Sequence, residues 1–224
     1  MISLMSGVRE INEILKNIGS GTREIQQIHY AGISEILPTL YLCGAGVLTP
    51  KVLSNLGINF VVNAAPELPN TPLPDSDKPL YLRIEILDKP DVDLKSHFNE
   101  VADMIEEIRL SSENGKTLVH CVAGVSRSAS LVIAYLMKHQ KKSLKEAYEH
   151  VKAARSQIRP NSGFFKQLMD YEIELFGVSS VKMIFYESLS REIPDVYEAE
   201  YKAMEDFYHR QRKLLRDQTE RCRV

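Results

Sequence analysis

The sequence predicts an α/β protein whose central, largely parallel mixed sheet is flanked by helices, in a single domain with N- and C-terminal extensions. Short segments rich in β-forming residues alternate along the chain with amphipathic helical segments, which is the pattern of an α/β layer fold. The 224 residues suit one large domain with extensions, and 44% hydrophobic with 26% charged residues is the composition of a globular protein. We expect extensions at 1–30 and 179–224 around a core domain at 31–178.

The N-terminal half predicts two helices, three strands and a long loop. Apolar residues at helical spacing near the N-terminus indicate a short amphipathic helix or a frayed leader. They are Val8, Ile11, Leu15 and Ile18. The predicted strands are 40–42, 58–62 and 80–87. Thr49-Pro50 starts a helix that ends at Gly57, and residues 66–79, with five prolines, predict a surface loop.

The C-terminal half predicts one strand and several helices. An apolar stripe from Phe98 to Ile108 has helical spacing, and Ser143 with Glu146 forms a capping box. The predicted elements are helix 98–108, strand 116–120, buried helix 128–139, helix 143–155, a helix capped by Asn161 or Ser162 that stops before Gly177, and a helical segment after Pro194 that ends in a basic tail.

Charge and cysteine content exclude several classes of protein. Twenty-eight basic against 30 acidic residues give a formal charge of −2, which is not the field of a nucleic-acid-binding protein. The longest apolar run covers 7 residues, against about 20 for a membrane span, and a secretion signal is not recognisable. Three cysteines (Cys43, Cys121 and Cys222) indicate neither a disulfide framework nor a four-ligand zinc site. We expect a reducing compartment, the cytoplasm, with the nucleus as a second location.

The stretch around Cys121 carries the chemistry. A predicted buried strand leads into Cys121, five residues intervene, and Arg127 stands where a buried helix begins. Successive N–H groups of a tight loop at a helix N-terminus bind an anion, Gly124 permits the turn, and Arg127 offers a planar fork for two phosphate oxygens. The same field favours the thiolate form of Cys121, which is the nucleophile. A small buried core cysteine is the alternative, but it does not explain the joint occurrence of these residues.

His120 and Cys121, five further residues, Arg127 and Ser128 resemble the signature loop of the cysteine-based protein tyrosine phosphatases, in the form of the dual-specificity branch. The likeness extends over about 33–177 and includes a strand at 58–64 and a bracing segment at 158–164. Residues 181–183 and 193–198 resemble a C-terminal extension of the small atypical members such as MAP kinase phosphatase six. The resemblance implies that 31–178 is a dual-specificity phosphatase catalytic domain.

The resemblance also implies which residues form the site. Cys121 is the nucleophile, and Arg127 binds the phosphate together with the loop amides. The loop residues are Val122, Ala123, Gly124, Val125, Ser126 and Arg127. Ser128 hydrogen-bonds the sulfur, His120 orients the loop, and Asn161 locks the loop backbone. The family needs no metal and no cofactor.

An aspartate on a loop before the cysteine acts as general acid in the family. Asp88, 33 positions before Cys121, is our choice because it directly follows the predicted strand 80–87 and because Phe98 falls at the family's spacing after it. Asp91 is the alternative. We expect Asp93 to cap the helix that begins near Phe98.

The loop composition narrows the substrate to phosphoproteins. Related phosphoinositide phosphatases usually carry lysines inside the loop, whereas the four variable loop residues here are uncharged. The resemblance implies phosphotyrosine together with phosphoserine or phosphothreonine as substrates, and activated MAP kinases as partners. Two rival functions are a phosphopeptide-binding module without turnover and a sulfurtransferase.

Three further features have two interpretations each. Arg155 and Arg159 either reach a second phosphate or brace the fold. Cys43 is either a redox partner of Cys121 or an inert buried thiol. The basic tail either binds an acidic partner or is a solvated face.

Overall fold

A five-stranded mixed sheet forms the centre of the molecule. The computed structural model describes residues 31–111 and 115–221, with side chains up to residue 210. The strands are β1 (Ile33–Leu37), β2 (Leu40–Gly44), β3 (Ile58–Asn63), β4 (Leu80–Arg83) and β5 (Lys116–Cys121). Their order across the sheet is β1-β2-β5-β3-β4, with β1 antiparallel to β2 and the other pairings parallel. The predicted largely parallel mixed sheet is confirmed.

Six helices and a hairpin complete the described fold. The helices are α1 (Pro50–Leu56), α2 (Phe98–Ser111), α3 (Arg127–Gln140), α4 (Leu144–Ala154), α5 (Ser162–Phe176) and α6 (Glu198–Arg221). The hairpin pairs β6 (Met183–Tyr186) with β7 (Arg191–Pro194). The sequence did not predict β1 or this hairpin, because their short strands lack a clear apolar alternation.

Capping residues set several helix ends where the sequence predicted them. The Thr49 side chain accepts a hydrogen bond from the Val52 N–H, and Gly57 ends α1 in the left-handed conformation. Ser143 and Glu146 form the predicted capping box of α4. Asn161, one of two candidates, caps α5 through a hydrogen bond from the Phe164 N–H. Local side-chain chemistry therefore fixes these boundaries.

The strand predicted at 80–87 is shorter in the structure. β4 ends at Arg83. The Ile84 N–H still donates a hydrogen bond to the Asn63 carbonyl oxygen, but the Ile86 N–H donates to the Ile84 carbonyl oxygen, so the chain turns. Ile84 and Ile86 are buried, so their apolar character reflects core packing rather than sheet pairing. This turn leads the chain toward Asp88.

Helix α3 is the central buried helix that the apolar stretch predicted. Its residues from Leu131 to Met137 are all at most 1% exposed. Between them, α2, α4 and α5 cover α3, which explains why its sequence has no polar face. Since β5 lies between β2 and β3, its carboxyl end emerges in mid-sheet, where α/β folds place their sites.

The predicted N-terminal helix, with Val8, Ile11, Leu15 and Ile18, lies outside the described residues, as does Cys222. Within 31–111 and 115–221, none of the helices combines the length and the apolar character that crossing a bilayer requires.

Candidate active site

Cys121 is the last residue of β5, and it is 2% exposed at the edge of the sheet where the phosphate loop begins. The Ser128 hydroxyl, in the first turn of α3, donates a hydrogen bond to the Cys121 Sγ at 3.1 Å. A hydroxyl donor stabilises a sulfur anion more than a neutral thiol, because the anion is the better acceptor. The strand and the helix thus bring together two residues that are seven positions apart.

The carbonyl oxygens of four successive loop residues, Val122 to Val125, all accept hydrogen bonds from the surrounding protein. Ala45 N–H donates to the carbonyl oxygen of Val122 at 3.0 Å. The Arg155 guanidinium donates to the carbonyl oxygens of Ala123 and Gly124 at 2.9 and 2.7 Å, and a backbone N–H, that of Arg159, donates to Val125 at 2.8 Å.

In a planar trans peptide the N–H points opposite to the C=O. The N–H groups of the same four peptide planes therefore point away from these partners. Loop N–H groups at the N-terminus of a helix are the donors from which anion-binding nests are built.

Gly124 is required by the close packing of this loop. Its φ is +67°, and a Cβ there would lie 2.4 Å from the carbonyl carbon and oxygen of Cys43 in β2. A side chain would therefore push the loop off the sheet. Gly44 is also closely packed, though less than Gly124, since its Cβ would lie 2.9 Å from the Val122 carbonyl oxygen.

Arg127 is 3% exposed and held by a partner that the sequence did not reveal. Its Nη1 and Nη2 donate to the two carboxylate oxygens of Glu67 at 2.8 and 2.6 Å, and Nη1 also donates to the Ile86 carbonyl oxygen. The hydrogen bond from Arg127 lowers the pKa of Glu67 below its usual range. The Nε of Arg127 is buried and, among the described residues, without a hydrogen-bond partner. The Nε–H group of Arg127 is therefore available as a hydrogen-bond donor.

Asp88 lies beside Arg127 and the loop. Its Oδ1 accepts hydrogen bonds from the Ser126 hydroxyl and the Asn161 Nδ2, both at 2.8 Å, and its Oδ2 is 3.9 Å from the Arg127 Nε. Within the described ranges it is the aspartate that hydrogen-bonds this loop. Asp93 instead accepts a hydrogen bond from the Ser96 N–H at the helix start, as a cap does.

The segment that carries Asp88 is pressed against helix α5. A Cβ on Gly163, in the first turn of that helix, would lie 1.8 Å from the carbonyl oxygen of Pro90. The absence of a side chain at Gly163 therefore sets how close this segment comes to the site.

His120 is neutral and fully engaged below the loop. It is 1% exposed, and burial lowers its pKa to about 4. Its Nδ1 faces the Cys121 carbonyl oxygen at 3.4 Å, which can only accept, so we assign the proton to Nδ1. Nε2 then accepts from the Thr71 hydroxyl at 2.7 Å.

Asn161 and the two arginines act on the loop from behind. The Asn161 backbone N–H donates to the Ser126 hydroxyl at 3.1 Å, while its side chain binds Asp88 and caps α5. Arg155 is buried against the loop, and the Arg159 guanidinium lies over the rings of Tyr201 and Tyr197. Both arginines have the contacts of bracing residues.

Cys43 lies in β2 with its side chain in the apolar cluster opposite to the one that contains Cys121. It is 0% exposed, and burial raises its pKa to about 12. These surroundings are those of an inert buried thiol.

A cysteine at a strand end, followed by a tightly held loop and a buried arginine at a helix start, is the arrangement expected of a cysteine-based phosphohydrolase. Residues 40–174 match the family model described as "Dual specificity phosphatase, catalytic domain". Dual specificity protein phosphatase 14 of Mus musculus is 44% identical over 187 residues, which cover 83% of this chain and 91% of the relative. Dual specificity protein phosphatase 18 of Pongo abelii is 41% identical over 182 residues, 81% of this chain and 93% of the relative.

A crystal structure of human DUSP28 has the same fold, with a TM-score of 0.58 and 32% identity over 66% of this chain and 97% of that chain. The chain belongs to the dual specificity phosphatase family, among its small atypical members. It is a dual-specificity protein phosphatase, a cysteine-based hydrolase whose substrates are phosphoproteins.

Proposed function

We propose that this phosphatase hydrolyses phosphotyrosine and phosphoserine or phosphothreonine residues in proteins through a cysteinyl-phosphate intermediate. The observation that carries the proposal is the nest at Cys121, with four loop carbonyls tied outward and the Arg127 Nε buried without a partner among the described residues. Amide and guanidinium donors at that place match the three non-bridging oxygens of a phosphate monoester.

In the first step the Cys121 thiolate attacks phosphorus. The S–P bond forms and the P–O ester bond breaks, while the Asp88 carboxyl gives its proton to the departing oxygen. Contacts of Asp88 with Ser126 and Asn161 hold it beside the loop, which supports this role over Asp91. The loop amides and Arg127 stabilise the charge spread over the phosphoryl oxygens.

In the second step water attacks the phosphocysteine. The Asp88 carboxylate takes a proton from the water as the P–O bond forms, and the S–P bond breaks. The Ser128 hydroxyl, 3.1 Å from Sγ, stabilises the departing thiolate. The enzyme returns to its starting protonation state.

Activated MAP kinases are the proposed substrates, in the cytoplasm and the nucleus. The uncharged side chains of Val122, Ala123, Val125 and Ser126 support a phosphoprotein rather than a highly charged inositol lipid. The names of the relatives support protein phosphatase activity and do not specify a kinase.

The test is phosphate release from phosphotyrosine and phosphothreonine peptides by wild type, Cys121→Ser and Cys43→Ser. We expect Cys121→Ser to abolish release and Cys43→Ser, which makes the same chemical change at a buried thiol on the other face of the sheet, to retain it. Peptide binding without cysteine-dependent release would favour the binding module. Sulfur transfer from thiosulfate would favour the sulfurtransferase.

The acid is tested by comparing Asp88→Ala with Asp91→Ala. We expect Asp88→Ala to lower kcat for phosphotyrosine peptides by about 10²-fold or more with little change in peptide binding, and Asp91→Ala to be nearly silent. The opposite result would assign the acid to Asp91. A pull-down from cells with Cys121→Ser, followed by elution with vanadate, tests whether MAP kinases are retained.

A further inference from the structure

A pocket of about 460 Å³ opens beside the phosphate loop, at the same edge of the sheet as the nucleophile. The turn after β2, with Ala45 and Gly46, forms one wall, and the loop after β3, residues 68–72, forms the other. His120 and Val122, the two neighbours of Cys121 in sequence, line the pocket between these walls. Because β5 lies between β2 and β3, the pocket adjoins the centre at which phosphate would bind.

The lining is mostly apolar and carries no acidic residue, lysine or arginine. Its exposed wall residues include Pro69, Pro72 and Val122. Of the three polar side chains in the lining, the Thr71 hydroxyl and the His120 ring are buried and hydrogen-bonded to each other at 2.7 Å, and the Asn70 Oδ1 accepts a hydrogen bond from Arg83. An apolar group therefore fits this lining, whereas a charged one would lose its hydration without gaining a partner.

The pocket wall is held in place before any ligand binds. The Tyr81 hydroxyl accepts hydrogen bonds from the Asn63 side chain and from the Thr71 N–H. The Arg83 guanidinium donates to the Asn70 side chain and to the Pro66 carbonyl oxygen. A preformed apolar pocket of this size is typical of a ligand-binding site.

We propose that this pocket is a substrate subsite that binds one large apolar side chain, such as leucine or phenylalanine, close in sequence to the phosphorylated residue of a protein substrate. The subsite rests on the proposed function, since the phosphate must sit in the loop to align the peptide. Val122 is 42% exposed and belongs to both the phosphate loop and the pocket wall, so the two surfaces are continuous. Two residues of extended chain span roughly 7 Å, which makes the two positions on either side of the phosphorylated residue the candidates.

The experiment measures kcat/KM on phosphotyrosine peptides that are polar except for one leucine or one alanine, placed in turn at those four positions. Each value is divided by that for p-nitrophenyl phosphate, which has no flanking side chain, so that a general loss of activity cancels. Gly46→Phe fills the pocket from an exposed position, where a new Cβ meets nothing within 4 Å. Leu110→Phe, at a 68% exposed position on α2, is the control for added bulk.

We expect wild type to prefer leucine over alanine by about tenfold or more at one of the four positions. Gly46→Phe should reduce this preference to less than twofold, and Leu110→Phe should keep it. As a second variant, Leu68→Glu in the pocket wall should replace the leucine preference by a lysine preference at the same position.

Equal use of leucine and alanine by wild type, or a leucine preference that survives both pocket variants, would overturn the subsite. Binding of the same peptides to Cys121→Ser, measured by fluorescence anisotropy, separates this outcome from a failure of the proposed function. Turnover that does not depend on Cys121 would refute the proposed function. Leucine-dependent binding to Cys121→Ser would still support the subsite in that case, and equal binding of leucine and alanine peptides would refute the subsite.

Discussion

His120 should make the stability of the folded protein fall as the pH is lowered from 7 to 5. Its ring is buried, and its two nitrogens are occupied by the Thr71 hydroxyl and the Cys121 carbonyl oxygen. Burial lowers the pKa to about 4, whereas a histidine in the unfolded chain has its ordinary value near 6.5. Protonating the native ring would bury a charge and break the hydrogen bond that Nε2 accepts.

The sign follows from proton binding. Between pH 6.5 and about 4 the unfolded chain binds a proton at this position that the native chain does not, so the free energy of unfolding falls with the pH. The contribution of His120 is about 2 kcal/mol lost between pH 7 and pH 5, and about 3 kcal/mol once both pKa values are passed. Well above the unfolded pKa this residue contributes almost no pH dependence.

The assay is urea unfolding of wild type and His120→Gln at pH 7 and pH 5. The variant is expected to be less stable than wild type at pH 7, but its stability should change by about 2 kcal/mol less between the two pH values. Every other titrating residue is present in both proteins, so its contribution cancels in this difference of differences.

Equal pH dependence in the two proteins would refute the reasoning. So would a ring resonance of His120, followed by NMR in the folded protein, with a titration midpoint near 6.5.

Three substitutions test the supports of the site. Glu67→Gln keeps one acceptor for the buried loop arginine but loses the charge, so we expect kcat/KM for p-nitrophenyl phosphate to fall about tenfold, and unchanged steady-state kinetics would remove Glu67 from the site. Gly163→Ala forces a Cβ against Pro90 and should lower kcat about 10²-fold by displacing the general acid, whereas iodoacetate labelling of the nucleophile should keep its rate. Tyr197→Phe removes a buried hydroxyl that donates at 2.9 Å to the Pro160 carbonyl oxygen, which should lower the free energy of unfolding in urea by about 1–3 kcal/mol. Tyr208→Phe, at an exposed position, is the control, and equal stability of the two variants would show that the Tyr197 hydrogen bond does not stabilise the fold.

The sequence predicts those parts of the site that are local in the chain. Cys121, Gly124, Arg127 and Ser128 lie within eight positions, and the apolar stretch that follows them can only be a buried element. Composition and spacing therefore predict the strand-to-helix junction. The resemblance to the family and the strand before it predict Asp88 as the acid, and in the structure Asp88 lies against the loop even though that strand ends early.

The parts that the sequence did not predict depend on the order of the strands. Glu67 binds Arg127 across 60 positions, because β3 and β5 are neighbours and their following loops meet. Thr71 reaches His120 for the same reason. An acidic residue and a threonine inside a proline-rich loop carry no local signal of these contacts; a scan for polar residues that follow parallel strands would have found them.

Arg155 shows how the scaffold, rather than the loop itself, orients the phosphate donors. It is 7% exposed, and its guanidinium donates hydrogen bonds to three backbone carbonyl oxygens, two in the loop and one at Gly32. A positive charge placed behind the loop stabilises an anion in front of it, and the two hydrogen bonds fix the peptide planes whose N–H groups face that anion. In the proposed mechanism these donors are aligned before substrate arrives, so the transition state gains their stabilisation without further reorganisation. Arg155, which directly follows helix α4, and Ala45, which directly follows strand β2, thus hold three of the loop carbonyls and with them the orientation of the loop N–H groups.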